Sequence, residues 1–175
     1  MKINKVDHIS VAVKDLDAAR EVWEPLLGKD GPDDEFADES EHIRVARYQL
    51  GEVAIELLQS TVADGEVAKF IKAQGEGVML VSFGVDNTRE SIGELKDREY
   101  PTIGGVRTFR DNDICFIHPK QMSGVLVELK SKKSDAPVSS TVDADADAAT
   151  NYGDNNDYDD NNNDDETFDT INDKG

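Results

Sequence analysis

The sequence predicts an α+β fold made of two βαβββ modules followed by a disordered acidic tail, and three observations predict it. The first is an internal duplication. Sliding "VDHISVAVKD" (6–15) along the chain by 72 residues pairs Val6 with Val78, Ser10 with Ser82, Val13 with Val85 and Asp15 with Asn87. The same shift carries "VAIEL" (53–57) onto "VLVEL" (125–129), matching Glu56 with Glu128 and Leu57 with Leu129. Two segments sharing one ungapped offset mark a repeated supersecondary unit, and two copies are too few for a solenoid, so the halves must pack on each other. The second observation is the alternation of apolar and polar residues in short runs separated by helical periodicity. The third is an abrupt change of composition near Ser131: residues 1–130 carry a net charge of −9, and the last 45 carry −10 of the chain's −19.

In chain order, residues 6–13 alternate as a strand, with Val6, His8, Ser10 and Ala12 on one face and Asp7, Ile9, Val11 and Val13 on the other. Asp15 or Asp17 caps a helix over 16–27, where Leu16, Ala19, Trp23, Leu26 and Leu27 recur at helical spacing and Gly28 ends it. The stretch "GKDGPDDEFADESE" reads as a polar loop, and strands at 42–50 and 53–59 flank a Gly-Glu turn. "DGEVAKFIKAQGEG" reads as a short helix presenting Val67, Phe70 and Ile71. The second module repeats the order: a strand "VMLVSFGV", a helix from the Asn87/Glu90 capping box to about Arg98, and strands near 106–109, 112–118 and 124–130. The domain therefore spans 1–131, with half-modules at about 3–60 and 76–131, and the tail 132–175.

The tail scatters its few apolar residues without period, so it buries too little surface to offset the entropy of ordering it. Its Asp/Asn run lacks the spaced loop of a calcium site, and it reads as a solubilising extension or a contact for a basic partner. The acidic balance excludes a nucleic-acid binder. No run approaches the roughly 18 apolar residues of a membrane helix, and no signal-peptide core opens the chain, so a cytoplasmic protein is expected. The lone Cys115 sits in an apolar strand and reads as an inert core thiol.

Strand parity turns His8, Glu56 and Glu128 away from the helix-packed faces and, if the sheets curl around a shared concavity, toward one another. Buried carboxylates need partners. Three solutions exist: a solvated cleft, a proton shared between the carboxylates, or a divalent ion such as Co, Mn, Ni, Fe or Zn. The duplication favours the last, since each half supplies ligands to one cavity. It also expects a counterpart of His8 at position 80, where the chain carries leucine.

"VDHISVAVKDLDAAREVWEPLLG", "GEVAIELLQSTVADGEVAKFIKAQGEG" and "FIHPKQMSGVLVELK" resemble methylmalonyl-CoA epimerases of the vicinal oxygen chelate superfamily, to which glyoxalase I also belongs; the likeness spans about residues 3–131. It implies paired βαβββ modules, a homodimer, and a divalent ion held at His8, Glu56 and Glu128, with a fourth ligand, a histidine, at the position of Leu80. It further implies an acyl-CoA-like substrate and an isomerase that removes the proton next to a thioester carbonyl, with Glu128 as ligand and acid/base. The opposing acid is unplaced: Val45 lies near where an epimerase carries glutamate, and Glu41 or Glu56 are substitutes. His42 is a candidate replacement for the missing ligand. His118 shapes a loop beside the substrate, and Lys120 meets a carboxylate or CoA phosphate. The alternatives are a metal-free ligand-binding pseudoenzyme of the same fold, to which Met79 and Leu80 lend an apolar pocket, and a glyoxalase-type lyase with another substrate.

Overall fold

The computed structural model describes residues 1–133, so nearly all of the expected tail lies outside the described residues. The first module runs β1 (Ile3–Ala12), α1 (Leu16–Leu27), β2 (Asp34–Asp38), β3 (Ile43–Leu50) and β4 (Val53–Ser60). After α2 (Glu66–Gln74) the second runs β5 (Gly77–Val85), α3 (Thr88–Asp97), β6 (Thr102–Phe109), β7 (Asn112–Ile117) and β8 (Leu126–Lys132), with a 3-10 turn at Pro119–Gln121.

The duplication is visible as geometry. Strand β1 pairs in parallel with β4, bringing Ser10 beside Glu56, and β5 pairs in parallel with β8, bringing Ser82 beside Glu128. The helix starts repeat as well: Asp15 accepts from the amides of Asp17 and Ala18, and Asn87 from those of Arg89 and Glu90. A side-chain oxygen at this position satisfies amides that the first helical turn leaves free. Gly28, at φ 65°, closes α1 in the left-handed conformation that costs glycine least.

Two expectations are corrected. The "polar loop" contains β2, whose residues 34–38 pair antiparallel with β3. Only Phe36 and Ala37 there are apolar, so backbone pairing at the sheet edge, rather than burial, makes it a strand. The modules also share one eight-stranded sheet in the order β2-β3-β4-β1-β5-β8-β7-β6, joined where β1 and β5 run antiparallel.

That sheet curls until its edges meet. Phe36 of β2 lies 6.1 Å from Phe109 of β6, the Arg110 guanidinium sits 3.9 Å over the Phe36 ring, and Arg107 and Arg110 pair with Glu41 and Asp34 at 2.7 and 2.6 Å. Helix α1 packs on one face of the first module through Val11, Val13, Leu16, Ala46, Tyr48 and Leu57. Helix α3 packs on the same face of the second, where Leu95 meets Cys115, Ile117, Val127 and Leu129. Helix α2 covers part of the opposite, concave face, where Val67 and Phe70 meet Ala12, Val45, Leu58 and Met79. Among the described residues no helix is long and apolar enough to cross a membrane.

Candidate active site

The concave face at the junction of the modules carries His8, Ser10, Glu56, Ser82 and Glu128, all buried. The structure brings the three expected site residues together: His8 Nε2 lies 3.3 Å from Glu56 Oε2 and 3.9 Å from Glu128 Oε1. Each carboxylate takes a hydroxyl from its own half, Ser10 Oγ donating to Glu56 at 3.2 Å and Ser82 Oγ to Glu128 at 2.6 Å. The two hydrogen bonds are copies of one another under the 72-residue repeat.

The halves differ in what surrounds these pairs. Register pairs Val6 with Phe83 and His8 with Ser82, leaving Asp7 as the extra residue of a β-bulge. Strict alternation assigned Asp7 to the helix-packed face; the bulge instead turns its carboxylate into the site, where it stands 3.0 Å from His8 Nδ1. A carboxylate only accepts, so Nδ1 carries the hydrogen and Nε2 faces the two glutamates. Lys130 and Lys5 also reach Asp7, at 2.9 and 3.0 Å. The hydrogen bond from His8, helped by those lysines and opposed by burial, holds the Asp7 carboxyl well below its ordinary range.

Arg47 completes the first half's set. Its Nη1 donates to Glu56 Oε1 at 2.6 Å and its Nη2 to Asp7 Oδ1 at 3.5 Å. The sequence reading missed it, although the signal was present: a two-residue turn at Gly51-Glu52 fixes the β3-β4 register and sets Arg47 directly opposite Glu56. Glu128 is different. Burial pushes its carboxyl above the ordinary carboxylate range, against the opposing pull of His8, Ser82 and Lys130. Its carboxyl thus moves in the opposite direction from that of Asp7.

In the second half the counterparts of Asp7 and His8 are Met79 and Leu80, both buried. Leu80 pairs with Ser10 and Leu126, which puts its isobutyl group on the face of His8 and Glu128. Val45 is buried among Ala12, Leu58 and Phe70, so no acid stands there. Glu41 is exposed and paired with Arg107 at the sheet edge. His42 is exposed at φ 54° where the chain turns into β3, five residues from Arg47, and does not replace the missing ligand. His118 accepts from the Lys120 amide at 3.1 Å and so shapes the turn before β8, while Lys120 is exposed. Cys115 is buried against Leu129, and burial, with the nearby charge of Glu128, pushes its thiol up to about 12.

The donor set does not fit the divalent ion expected of it. Leucine offers no lone pair, and Arg47 already engages the Glu56 oxygen opposite the one that faces His8. Asp7 is paired with Lys5, Lys130 and Arg47, and Glu56 with Arg47, so these two carboxylates have counter-charges without a metal. Among the described residues no group of three or more His, Cys, Asp or Glu is disposed to hold a metal ion.

Comparison with known proteins agrees with this fold. Residues 7–116 match the family described as Glyoxalase/Bleomycin resistance protein/Dioxygenase superfamily. The uncharacterized protein YqjC of Bacillus subtilis (strain 168) is 33% identical over 135 residues, covering 76% of this chain and 96% of YqjC. The mitochondrial methylmalonyl-CoA epimerase of Mus musculus is 29% identical over 133 residues, 74% of each chain. A Streptomyces coelicolor methylmalonyl-CoA epimerase variant, solved in complex with 2-nitronate-propionyl-CoA, superposes with a TM-score of 0.69 at 27% identity, covering 76% of this chain and 97% of its own. With the repeated βαβββ modules, the curled sheet and the paired Ser–Glu contacts at its centre, the chain belongs to the glyoxalase, or vicinal oxygen chelate, superfamily as an epimerase-like member.

Proposed function

We propose that the protein is an isomerase that moves a proton on the carbon next to the thioester carbonyl of an acyl-CoA, as the methylmalonyl-CoA epimerases among its relatives are named for doing. The observation that carries this reading is Glu128: a buried carboxyl, pushed upward by burial, held by Ser82 at 2.6 Å and facing His8 on the concave face. A carboxylate of that kind, aimed into a curled sheet shared with acyl-CoA epimerases, suits abstraction of a weakly acidic C–H proton. Ser82 orients the carboxyl. Glu56, the second carboxylate at the His8 imidazole, is the partner in returning a proton. Asp7 holds the imidazole so that Nε2 stays turned toward both.

The test is hydrogen–deuterium exchange at the α-carbon of methylmalonyl-CoA in D2O, followed by mass spectrometry. The wild type exchanges the proton, and Glu128→Gln loses at least about a hundredfold in rate, the ordinary contribution of a positioned acid/base. Absence of exchange in the wild type, with tight acyl-CoA binding retained, overturns the enzyme reading. It would favour the second one, a binding module without turnover, to which the buried Met79 and Leu80 lend apolar surface on the same face.

A further inference from the structure

We infer that Arg47 takes the place of the divalent ion: its guanidinium is the cation that receives the developing thioester oxyanion, and the site works without metal. The inference rests on the isomerase reading for its reaction, whereas its metal half stands by itself. Four groups form a closed ring. Asp7 meets His8 Nδ1 at 3.0 Å, His8 Nε2 meets Glu56 at 3.3 Å, Glu56 meets Arg47 at 2.6 Å, and Arg47 returns to Asp7 at 3.5 Å. Arg47 thus bridges the two carboxylates that flank the imidazole on its two nitrogens. An ion between His8 Nε2 and Glu56 Oε2 would lie one carboxylate away from the Arg47 guanidinium on Oε1, whose like charge opposes it.

The missing ligand and this cation lie in the same cluster. The second module carries Met79 and Leu80 where the first carries Asp7 and His8, so it offers neither an imidazole nor a carboxylate to orient one. With Asp7 and Glu56 already paired with Lys5, Lys130 and Arg47, a divalent ion would find only Glu128 left to offset its two positive charges in a largely buried cluster. Removing Leu80 alone does not relieve that excess.

Arg47 is also placed to do chemistry. Its side chain is 20% exposed, against 8% for His8 and 9% for Glu128, so it lies at the wetter margin of the ring. A guanidinium has five N–H donors, and its bonds to Glu56 and Asp7 leave others for a ligand. In the reaction the Glu128 carboxylate takes the α-proton. The C–H electron pair becomes the new C=C bond, and the carbonyl π pair moves to the thioester oxygen, which accepts N–H from Arg47. Return of a proton to the carbon reverses each shift, so atoms and charge balance without a co-reactant. A fixed donor aimed at an oxyanion contributes about a hundredfold to a thousandfold in rate.

The experiment uses the full chain and its variants Arg47→Met, Arg47→Lys, Leu80→His and Leu80→His/Arg47→Gln, with circular dichroism to establish that each is folded. Each protein is exposed to Co and Mn, desalted and analysed for metal, and α-proton exchange is measured before and after chelation. The wild type and Leu80→His should carry far less than one equivalent, while the double variant takes up about one. Wild-type exchange should survive chelation. Arg47→Met should lose about a hundredfold to a thousandfold in kcat with little change in KM, and Arg47→Lys should recover part of the loss. One equivalent of metal in the wild type or in Leu80→His overturns the inference, as does exchange abolished by chelation. If no protein exchanges the proton, the isomerase reading fails with the oxyanion role. The metal arms still decide whether Arg47 excludes the ion.

Discussion

The two copies of the Ser–Glu contact offer an internal comparison in which the same substitution should have unequal consequences. In Ser82→Ala, Glu128 loses a hydrogen bond of 2.6 Å in a buried setting, where its carboxyl is already pushed upward by desolvation. A hydrogen bond to a charged or nearly charged group contributes about 1.5–3 kcal/mol, and a buried acceptor cannot regain it from water. A cost of about 2 kcal/mol follows. In Ser10→Ala, the lost contact is longer, 3.2 Å, and Glu56 keeps Arg47 at 2.6 Å and His8 at 3.3 Å. The cost there is about 0.5–1 kcal/mol. Urea unfolding at pH 7, followed by circular dichroism, measures both. With slopes of roughly 1–3 kcal/mol/M, the two midpoints should differ by about 0.3–1.5 M. Equal midpoints, or a larger loss for Ser10→Ala, would refute the claim that Arg47 has made the two halves electrostatically unlike.

A second stability prediction concerns Arg89, whose guanidinium forks onto buried Asp113 at 2.7 and 3.1 Å. Arg89→Met should lower the free energy of unfolding by about 1.5–3 kcal/mol, because it removes a charge-assisted fork from a buried carboxylate that keeps Thr108 at 2.9 Å; a loss below about 0.5 kcal/mol in denaturant titration would contradict this. Tyr48 is pushed up to about 12, first by burial and then by its hydrogen bond to Glu24. An unfolded tyrosine loses its proton near 10, so the folded state binds the extra proton between those values. Stability should therefore fall as pH rises from about 10 to about 12. Absorbance at 295 nm should show one late phenol, absent from Tyr48→Phe; a single transition near 10 would contradict the assignment.

The parts of this fold that could be read from sequence are those in which the repeat reinforces local chemistry. The 72-residue offset located the strands that carry Glu56 and Glu128, both helix caps and the approach of the two carboxylates, because each rests on residues close in sequence or on a copied spacing. Strand β2 escaped, since "DEFAD" has almost no apolar signature and exists by pairing its backbone with β3. Asp7 escaped for a different reason. Parity assumes an unbroken pleat, and a single bulged residue moved a carboxylate from one side of the sheet to the other. Arg47 was overlooked because an arginine in an alternating strand ordinarily reads as solvent-facing, and only the hairpin register shows which residue it opposes.

The contact between β2 and β6 has a consequence for solubility. A sheet of eight strands ordinarily leaves two rows of unpaired amides and carbonyls, the usual starting points for strand addition between molecules. Here the outermost strands lean on each other through Phe36, Phe109 and Arg110, fastened by exposed pairs of Arg107 with Glu41 and Arg110 with Asp34. Each rim shields the other. Because those pairs are exposed, high salt weakens them, and acid that protonates their carboxylates removes them. Both conditions would expose two sticky rims at once and favour aggregation before the core itself has unfolded.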